Sequence, residues 1–313
     1  MAIAGCGSAA PAGVLTNDEL AKVVDTSDEW IRTRTGIGQR HLTKPQETLS
    51  HLAVTAGQQA LVMAGVEAES IDLVILATST PDDLFGSASK IASLLGASRA
   101  VGFDVTAACS GFVFGLAIAA QFIRTGVYQR VLLIGADVLS RWVDWTDRGT
   151  CVLFGDGAGA VVCQASPEDR LLGFELYSDG SKNDCLTLSY QGQPRPVGEM
   201  AVAAGTYGAI AMNGREVYRF AVEKVPEVIE KALYRANLTA EQVDWLLLHQ
   251  ANQRIIEAVA ERLGLPLERT ISNLSQYGNT SAASIPLALD EAVRQGKIQP
   301  GQVVAASGFG AGL

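Results

Sequence analysis

Three motifs in the chain carry residues that could perform covalent acyl chemistry, and the first contains a cysteine. Cys109 follows the apolar strand pattern 101–105 and precedes a helical pattern that begins at Ser110. Unpaired N–H groups and the positive end of a helix favour a thiolate, so this position predicts a nucleophile at neutral pH. The alternative for an isolated cysteine is a buried packing residue.

Two further motifs supply polar side chains in the second half of the chain. His249 follows the apolar strand pattern 246–248, and Asn279 lies in a glycine-bearing turn before a helix of small residues. Taken alone, His249 would be a hydrogen-bonded structural residue and Asn279 a turn or helix-cap residue. Beside a candidate thiolate, an imidazole and an amide donor suit acyl transfer, in which negative charge develops on a thioester oxygen.

An internal repeat connects these motifs. Segment 64–76 resembles segment 236–248, and segment 131–136 resembles segment 303–308 at the same offset. Chance similarity is less probable when two matches share one offset. Both halves alternate helical patterns with apolar strand patterns, which predicts an α/β protein with parallel sheets covered by helices.

The repeat predicts two similar domains: residues 1–165, which carry Cys109, and residues 166–313, which carry His249 and Asn279. Ligands of open α/β sheets gather at the carboxyl ends of the strands. Two matching strand ends that face each other across a pseudo-twofold axis would bring the cysteine and the histidine together.

Composition limits the class of protein. The 313 residues are 48% hydrophobic and 18% charged, which is typical of a globular chain with a large core. A net charge of -9 argues against a nucleic-acid partner, and no apolar stretch suits a membrane span. The start lacks the basic segment of a secretory signal, so we predict a cytoplasmic protein. Five cysteines without a C-x-x-C pair predict neither a disulfide framework nor a zinc site.

The motifs resemble those of a known family, the β-ketoacyl-acyl carrier protein synthases III. Three segments resemble the family's active-site motifs, namely 106–111, 249–252 and 278–283. Further segments that resemble the family are 26–37, 146–150 and 154–159. The resemblance covers nearly the whole chain, in the family's order and spacing.

The resemblance implies a thiolase fold, with five αβαβα layers built from two similar halves, usually as a homodimer. It implies an acyltransferase that condenses acetyl-CoA, or another short acyl-CoA, with malonyl-acyl carrier protein to start type II fatty-acid synthesis. Coenzyme A thioester is then a substrate, and no metal or redox cofactor is implied. Cys109 would be the nucleophile, His249 and Asn279 would complete the catalytic set, and backbone N–H groups of Cys109 and Ala311 would hold the oxyanion.

Other positions are assigned by the resemblance alone. Coenzyme A would contact Thr26, Trp30, Arg34, Arg148, Tyr218 and Asn252, with its adenine between Trp30 and Arg148. The acyl pocket would be lined by Phe154, Leu186, Met212 and Phe309, while Phe85 would reach into the pocket of the other protomer. The acidic carrier protein would dock on Arg219, Arg254 and Arg262. The structural alternatives are a core anchor for Trp30, a surface charge for Arg148 and a solvated helix face for the three docking arginines.

Two alternative functions stay open on the sequence. A related acyltransferase of secondary metabolism would transfer the acyl group to a different nucleophile. A non-catalytic binding protein of the same fold is disfavoured because Cys109, His249 and Asn279 are all present. Elongating ketosynthases use two histidines and degradative thiolases use a second cysteine in the last loop, and the second half has neither.

The end of the chain predicts a missing strand. In the first half the pattern 131–136 is followed by an apolar pattern over 157–163, whereas the second half stops at Leu313, soon after 303–308. The family usually continues with a final strand of roughly ten residues. We expect that the chain is truncated, and that a family-like tail raises both its melting temperature and its condensation rate.

Overall fold

A computed structural model describes residues 1–312 as a mixed α/β protein. The strands are β1 (Ala2–Ala9), β2 (Gly13–Thr16), β3 (Gln39–Leu42), β4 (Leu73–Ala77), β5 (Val101–Val105), β6 (Arg130–Val138), β7 (Asp156–Gln164), β8 (Leu186–Thr187), β9 (Tyr190–Val197), β10 (Met200–Tyr207), β11 (Ala211–Met212), β12 (Trp245–Leu248) and β13 (Val304–Ser307). The helices are α1 (Asn17–Leu20), α2 (Asp28–Thr35), α3 (Leu49–Ala64), α4 (Ala88–Leu95), α5 (Gly111–Arg124), α6 (Arg148–Cys151), α7 (Gly214–Arg235), α8 (Gln253–Arg262), α9 (Leu274–Tyr277) and α10 (Ser284–Arg294).

The sheet of the first half contains its strands in the order β1-β7-β6-β4-β5. Strand β4 pairs in parallel with both β5 and β6, whereas β7 is antiparallel to β6 and to β1. The prediction of parallel strands is therefore confirmed for β4, β5 and β6 and wrong for β1 and β7. Strand β7 begins at the same end of the strands at which β6 finishes, so the connection does not include the long crossover helix that a parallel pair requires.

The second half repeats part of this arrangement. Strands β12 and β13 pair in parallel with Trp245 opposite Val304, as β4 and β6 do with Leu73 opposite Val131. In both halves a long helix, a 3-10 turn and a strand follow one another, as α3 to β4 and as α7 to β12. The repeated elements seen in the sequence thus form similar units, while the predicted domain boundary after residue 165 stays a prediction.

Alternate residues of the strands pack against different helices. Val74 and Leu76 of β4 lie in a core with α3 and α4, whereas Leu73 and Ile75 face α5 and α10. In β12, Leu247 belongs to the core that contains α5 and α10, and its two neighbours pack against α7 and α8. Helices α5 and α10 therefore lie between the two sets of strands.

The two halves meet at a pair of short turns. The 3-10 turn Ala108–Ser110, which carries Cys109, contacts the 3-10 turn Ser281–Ala283. The latter turn lies on β6 at Gly135, where a Cβ atom would be 2.2 Å from the carbonyl oxygen of Ala282. A bare backbone at this point is therefore required for the second turn to reach the first.

In the part of the chain that the structure describes, no helix has the length and apolar character needed to cross a membrane. The predicted final strand would follow Leu313, which lies outside the described residues. Cys6, Cys109, Cys151 and Cys163 are buried free thiols and Cys185 is a partly buried one.

We expect Gly135→Ala to destabilise the protein by about 1–3 kcal/mol, because the new methyl group overlaps the Ala282 carbonyl. Urea denaturation would measure this loss. Gly180→Ala is the matched control, since no atom lies within 4 Å of the Cβ position at residue 180. If the urea midpoint of unfolding is the same for both variants as for the wild type, the close approach at Gly135 is not a constraint on the fold.

Candidate active site

Cys109 lies where the sequence predicts it, between strand β5 and helix α5. The residue before it, Ala108, has a φ of 44°, a left-handed conformation that is uncommon for a non-glycine residue. The cysteine is only 5% exposed, and it lines a cavity of 1390 Å³. The thiol is thus buried at a helix start but accessible from that cavity.

The burial of Cys109 changes its protonation state from the one predicted. Burial raises the pKa of the thiol from 9.0 to about 12, and the negative charge of Asp137 also raises it. A hydrogen bond with Ser281 lowers the pKa, but by less than burial raises it. The start of a helix favours a thiolate by up to about 2 kcal/mol, or about one and a half pKa units. This is smaller than the rise, so burial favours the neutral thiol over the thiolate that the sequence predicts at neutral pH.

His249 follows strand β12 as predicted, and its backbone N–H donates to the carbonyl of Ser307 in the neighbouring strand at 2.8 Å. The imidazole is 2% exposed and packs edge-on against Phe309, with ring centroids 5.3 Å apart. Burial lowers the pKa of His249 to about 3, so the ring is neutral. Its Nδ1 atom lies 2.6 Å from the hydroxyl oxygen of Ser284, a residue that no sequence motif singles out.

Asn279 is held by the chain segment that carries Phe154. Its N–H donates to the carbonyl of Leu153 at 2.8 Å, and its own carbonyl accepts from the N–H of Gly155 at 3.0 Å. The side-chain Oδ1 accepts a hydrogen bond from the N–H of Ser281 at 2.9 Å. This contact fixes the amide so that its NH2 group is the part left to donate.

The last described loop brings the cysteine and the histidine into one site. A Cβ atom at Gly310 would lie 2.7 Å from Cys109 Cβ and 3.1 Å from its Sγ, so the loop backbone passes directly over the thiol. Phe309, next in the chain, is the residue that packs against His249. Ser281, which orients Asn279, lines the same cavity as Cys109. Of the three predicted catalytic residues, Cys109 lines the cavity itself, whereas His249 and Asn279 do not line it but contact its lining residues Phe309 and Ser281.

Asp137 is a buried carboxylate beside the site that sequence reasoning missed. It is fully buried and accepts hydrogen bonds from the Thr78 hydroxyl (3.1 Å), the Ser79 N–H (2.9 Å), the Thr80 hydroxyl (2.9 Å) and the Ala282 N–H (3.1 Å). Burial raises its pKa. The available signal was a single charged residue directly after the apolar pattern 131–136.

The predicted acyl-pocket residues differ in whether they line the cavity. Phe154, Leu186 and Phe309 line the cavity with Cys109, and so does Ala311. Met212 does not line it, but pairs its backbone with Leu186 in the short sheet of β8 and β11. Phe85 is fully exposed, at 102%, and does not line the cavity of its own chain, although the preceding residue Leu84 does.

Five of the six predicted coenzyme residues cluster on the surface around Trp30. The guanidinium carbon of Arg148 lies 4.9 Å from the centre of the Trp30 ring, and that of Arg34 lies 5.5 Å from it. The amide of Asn252 donates to the carbonyl of Arg34 at 3.1 Å. Thr26 has a buried hydroxyl without a hydrogen-bond partner among the described residues. The sixth residue, Tyr218, lies on α7 with the guanidinium of Arg254 5.5 Å from its ring centre.

The three predicted docking arginines lie on helices α7 and α8, which pack against each other. Arg219 donates to Glu216 at 3.1 Å, and Arg262 donates to the carbonyl of Val222 at 3.2 Å. Arg254 stacks on Tyr218 as described above. The helices therefore bring the three cations to adjoining faces, although Arg219 is partly neutralised by its own glutamate.

Comparisons with known proteins agree with these motifs. Family models of "3-Oxoacyl-[acyl-carrier-protein (ACP)] synthase III" and of its C terminal match residues 103–180 and 233–313. Beta-ketoacyl-[acyl-carrier-protein] synthase III of Microcystis aeruginosa is 67% identical over 313 residues, covering 99% of this chain and 94% of that protein. The protein of that name from Acaryochloris marina is 66% identical, covering 100% and 95%. The crystal structure of 3-oxoacyl-[acyl-carrier-protein] synthase III from Aquifex aeolicus VF5 has a TM-score of 0.92 and 44% identity, covering 99% and 96%.

We expect the alkylation of Cys109 by iodoacetamide to accelerate about tenfold per pH unit from pH 7 to pH 10, because only the thiolate reacts. Mass spectrometry of the peptide that contains Cys109 would follow the reaction, with circular dichroism to check the fold at each pH. Free glutathione in the same buffers is the control, since its rate levels off near its own pKa. A plateau for Cys109 below pH 8 would instead reveal a preformed thiolate.

Proposed function

The chain belongs to the 3-oxoacyl-[acyl-carrier-protein] synthase III family, and on this premise we propose that it condenses acetyl-CoA with malonyl-acyl carrier protein. The products are acetoacetyl-acyl carrier protein, coenzyme A and carbon dioxide, and the reaction starts type II fatty-acid synthesis. The observation that carries this proposal is a set of contacts that connects the buried thiol of Cys109, which lines the cavity, with two neutral hydrogen-bonding side chains, His249 and Asn279. The loop that passes over the thiol packs against His249, and the turn that packs against the turn of Cys109 holds the Asn279 amide.

In the first half-reaction, the sulfur of Cys109 attacks the acetyl carbonyl and the bond from this carbon to the coenzyme A sulfur breaks. The proton of the neutral thiol leaves with coenzyme A, so no net charge is created in the buried site. The oxyanion would be held by the N–H groups of Cys109 and Ala311. The close approach of Gly310 to the thiol supports this role for the loop.

In the second half-reaction, the malonyl group loses carbon dioxide and negative charge develops on its thioester oxygen. His249 and Asn279 would donate hydrogen bonds to this oxygen, which suits an imidazole that burial keeps neutral and an amide whose Oδ1 is already occupied. The carbanion then attacks the acetyl group, the bond between the acetyl carbon and the sulfur of Cys109 breaks, and the sulfur takes up a proton from the solvent. Both donors lie in a buried site, where such hydrogen bonds are strongest.

Coenzyme A would bind at the cluster around Trp30. An adenine between Trp30 and Arg148 needs a van der Waals contact of about 3.5 Å on each of its faces, so the Trp30 ring and the Arg148 guanidinium must be about 7 Å apart. The observed separation of 4.9 Å is shorter, so Arg148 has to move outward by about 2 Å for the ring to enter. The unpartnered hydroxyl of Thr26 supports a polar ligand atom at this place.

We extend the proposal to a homodimer with the five-layered thiolase fold. The placement of α5 and α10 between two sets of strands, with α3, α4, α7 and α8 outside, supports the layering. Two features support a partner subunit: β5 is an edge strand of its sheet, and Leu84 and Phe85 are 79% and 102% exposed. Phe85 would then reach the acyl pocket of the second protomer. The cytoplasmic location stays a prediction.

A direct assay tests the proposed reaction. With acetyl-CoA and malonyl-acyl carrier protein, we expect acetoacetyl-acyl carrier protein and carbon dioxide in equal amounts. Cys109→Ser should lower this rate by at least about 10³-fold, because a serine hydroxyl is a far weaker nucleophile. Cys109→Ala should keep part of the malonyl decarboxylation, which depends on His249 and Asn279.

Three results of this assay would contradict the proposal. Acetyl label on another cysteine would exclude Cys109 as the nucleophile. Acyl transfer to a different nucleophile without carbon dioxide would favour an acyltransferase of secondary metabolism. A complete lack of acylation would favour a non-catalytic binding protein.

We expect Arg254→Glu to raise KM for malonyl-acyl carrier protein by about tenfold, because a reversed charge repels an acidic partner. Acetylation of Cys109 by acetyl-CoA should change by less than about twofold. Added salt should raise KM of the wild type more than KM of the variant. Lys297→Glu is the control for charge alone, since Lys297 is exposed and follows α10, whereas Arg254 lies on α8. Equal KM values for the two variants would remove Arg254 from the docking surface.

A further inference from the structure

The contacts of Ser284 determine which nitrogen of His249 carries the proton. Ser284 is the first residue of α10 and is 2% exposed, as is His249, and Gln250 is 1% exposed. The Ser284 hydroxyl oxygen lies 2.6 Å from Nδ1 of His249. The backbone N–H of Gln250 donates to the same oxygen at 3.3 Å. Water therefore has little access to any of the three groups.

A hydroxyl group has one hydrogen to donate, and here it has one acceptor. The Gln250 N–H can only donate, so the Ser284 oxygen accepts that bond. Among residues 1–312, the other hydrogen-bond partner of this oxygen is Nδ1 of His249. If Nδ1 carried a hydrogen, the oxygen would accept twice and the hydroxyl hydrogen would be buried without an acceptor, which is unfavourable. The hydroxyl therefore donates to Nδ1.

We propose that Ser284 is a positioning residue that holds His249 in the tautomer protonated at Nε2. In this tautomer the ring presents an N–H donor, and not a lone pair, on the side opposite Ser284. Within the described part of the chain, Nε2 has no hydrogen-bond partner, so this donor is available to a substrate oxygen. The inference deepens the proposed function and rests on it for the identity of that oxygen.

The tautomer has a consequence for the reaction. An Nε2–H group can stabilise the negative charge that develops on the malonyl thioester oxygen, but it cannot accept a proton from Cys109 at the same atom. Ser284 should therefore affect decarboxylation and leave acetylation of Cys109 nearly unchanged. A residue with a purely structural role would lower both half-reactions together with the thermal stability.

Nuclear magnetic resonance tests the tautomer directly. The chain contains three histidines, so a long-range ¹H–¹⁵N spectrum of protein labelled in its histidine rings is simple to interpret. His249→Gln identifies the signals of residue 249. We expect the wild type to show a protonated Nε2 and an unprotonated Nδ1. Protonation at Nδ1 in the folded wild type would overturn the proposal whether or not the protein condenses its substrates.

A set of variants tests the role of the hydroxyl. In Ser284→Ala, we expect His249 to populate both tautomers and kcat for malonyl decarboxylation to fall at least about tenfold. KM and the acetylation rate should change by less than about twofold, and Ser284→Thr, which keeps the hydroxyl, should restore most of the lost rate. Ser8→Ala is the matched control, because the Ser8 hydroxyl also bonds α10, at Asp290 (2.7 Å), but on a different part of the helix.

The two parts of the experiment separate the two hypotheses. Unchanged ring signals and unchanged decarboxylation in Ser284→Ala would overturn the positioning role. If Ser284→Ala does not fold, the wild-type spectrum and the Ser284→Thr variant decide the question. A wild type with the Nε2–H tautomer but without condensation would contradict the proposed function and leave the assignment of the proton intact.

Discussion

The contact between the turn Ala108–Ser110 and the turn Ser281–Ala283 is the constraint on which the rest of the site depends. Each turn begins a helix in its own half, and the two can touch only because β6 has no side chain at Gly135. The buried carboxylate of Asp137 accepts the N–H of Ala282 and fixes the second turn to the end of β6. The thiol of one half is thereby held against the polar residues of the other.

This contact also buries the reactive side chains, and their burial controls the electrostatics of the site. Burial raises the pKa of Cys109 to about 12 and lowers the pKa of His249 to about 3, so burial favours the neutral form of both groups at neutral pH. A resting thiolate and imidazolium pair would need compensation for the lost hydration of two charges. A site of neutral donors avoids that cost, and its hydrogen bonds strengthen when charge develops on a substrate oxygen in a low-dielectric environment.

One short segment orients both donors. The N–H of Ser281 bonds to the side-chain oxygen of Asn279, and the hydroxyl of Ser284 bonds to His249. Both contacts come from the turn and helix start that pack against Cys109. The position of the segment and the direction of the donors are therefore set together, so a displacement of this turn would move the thiol contacts and the two donors at the same time.

The sequence by itself determined the local units that carry the site. A strand pattern followed by a helical pattern placed Cys109 at a helix start, and the alternation of strand and helix patterns predicted α/β halves with parallel strands, because such patterns lie within short stretches of the chain. Only the tertiary structure decided that Cys109 is a neutral thiol, that Asp137 lies beside it and that Ser284 contacts His249. The physical reason is that burial and side-chain contacts between distant segments arise only when the two halves pack, and they shift pKa values and select tautomers without any local pattern in the sequence.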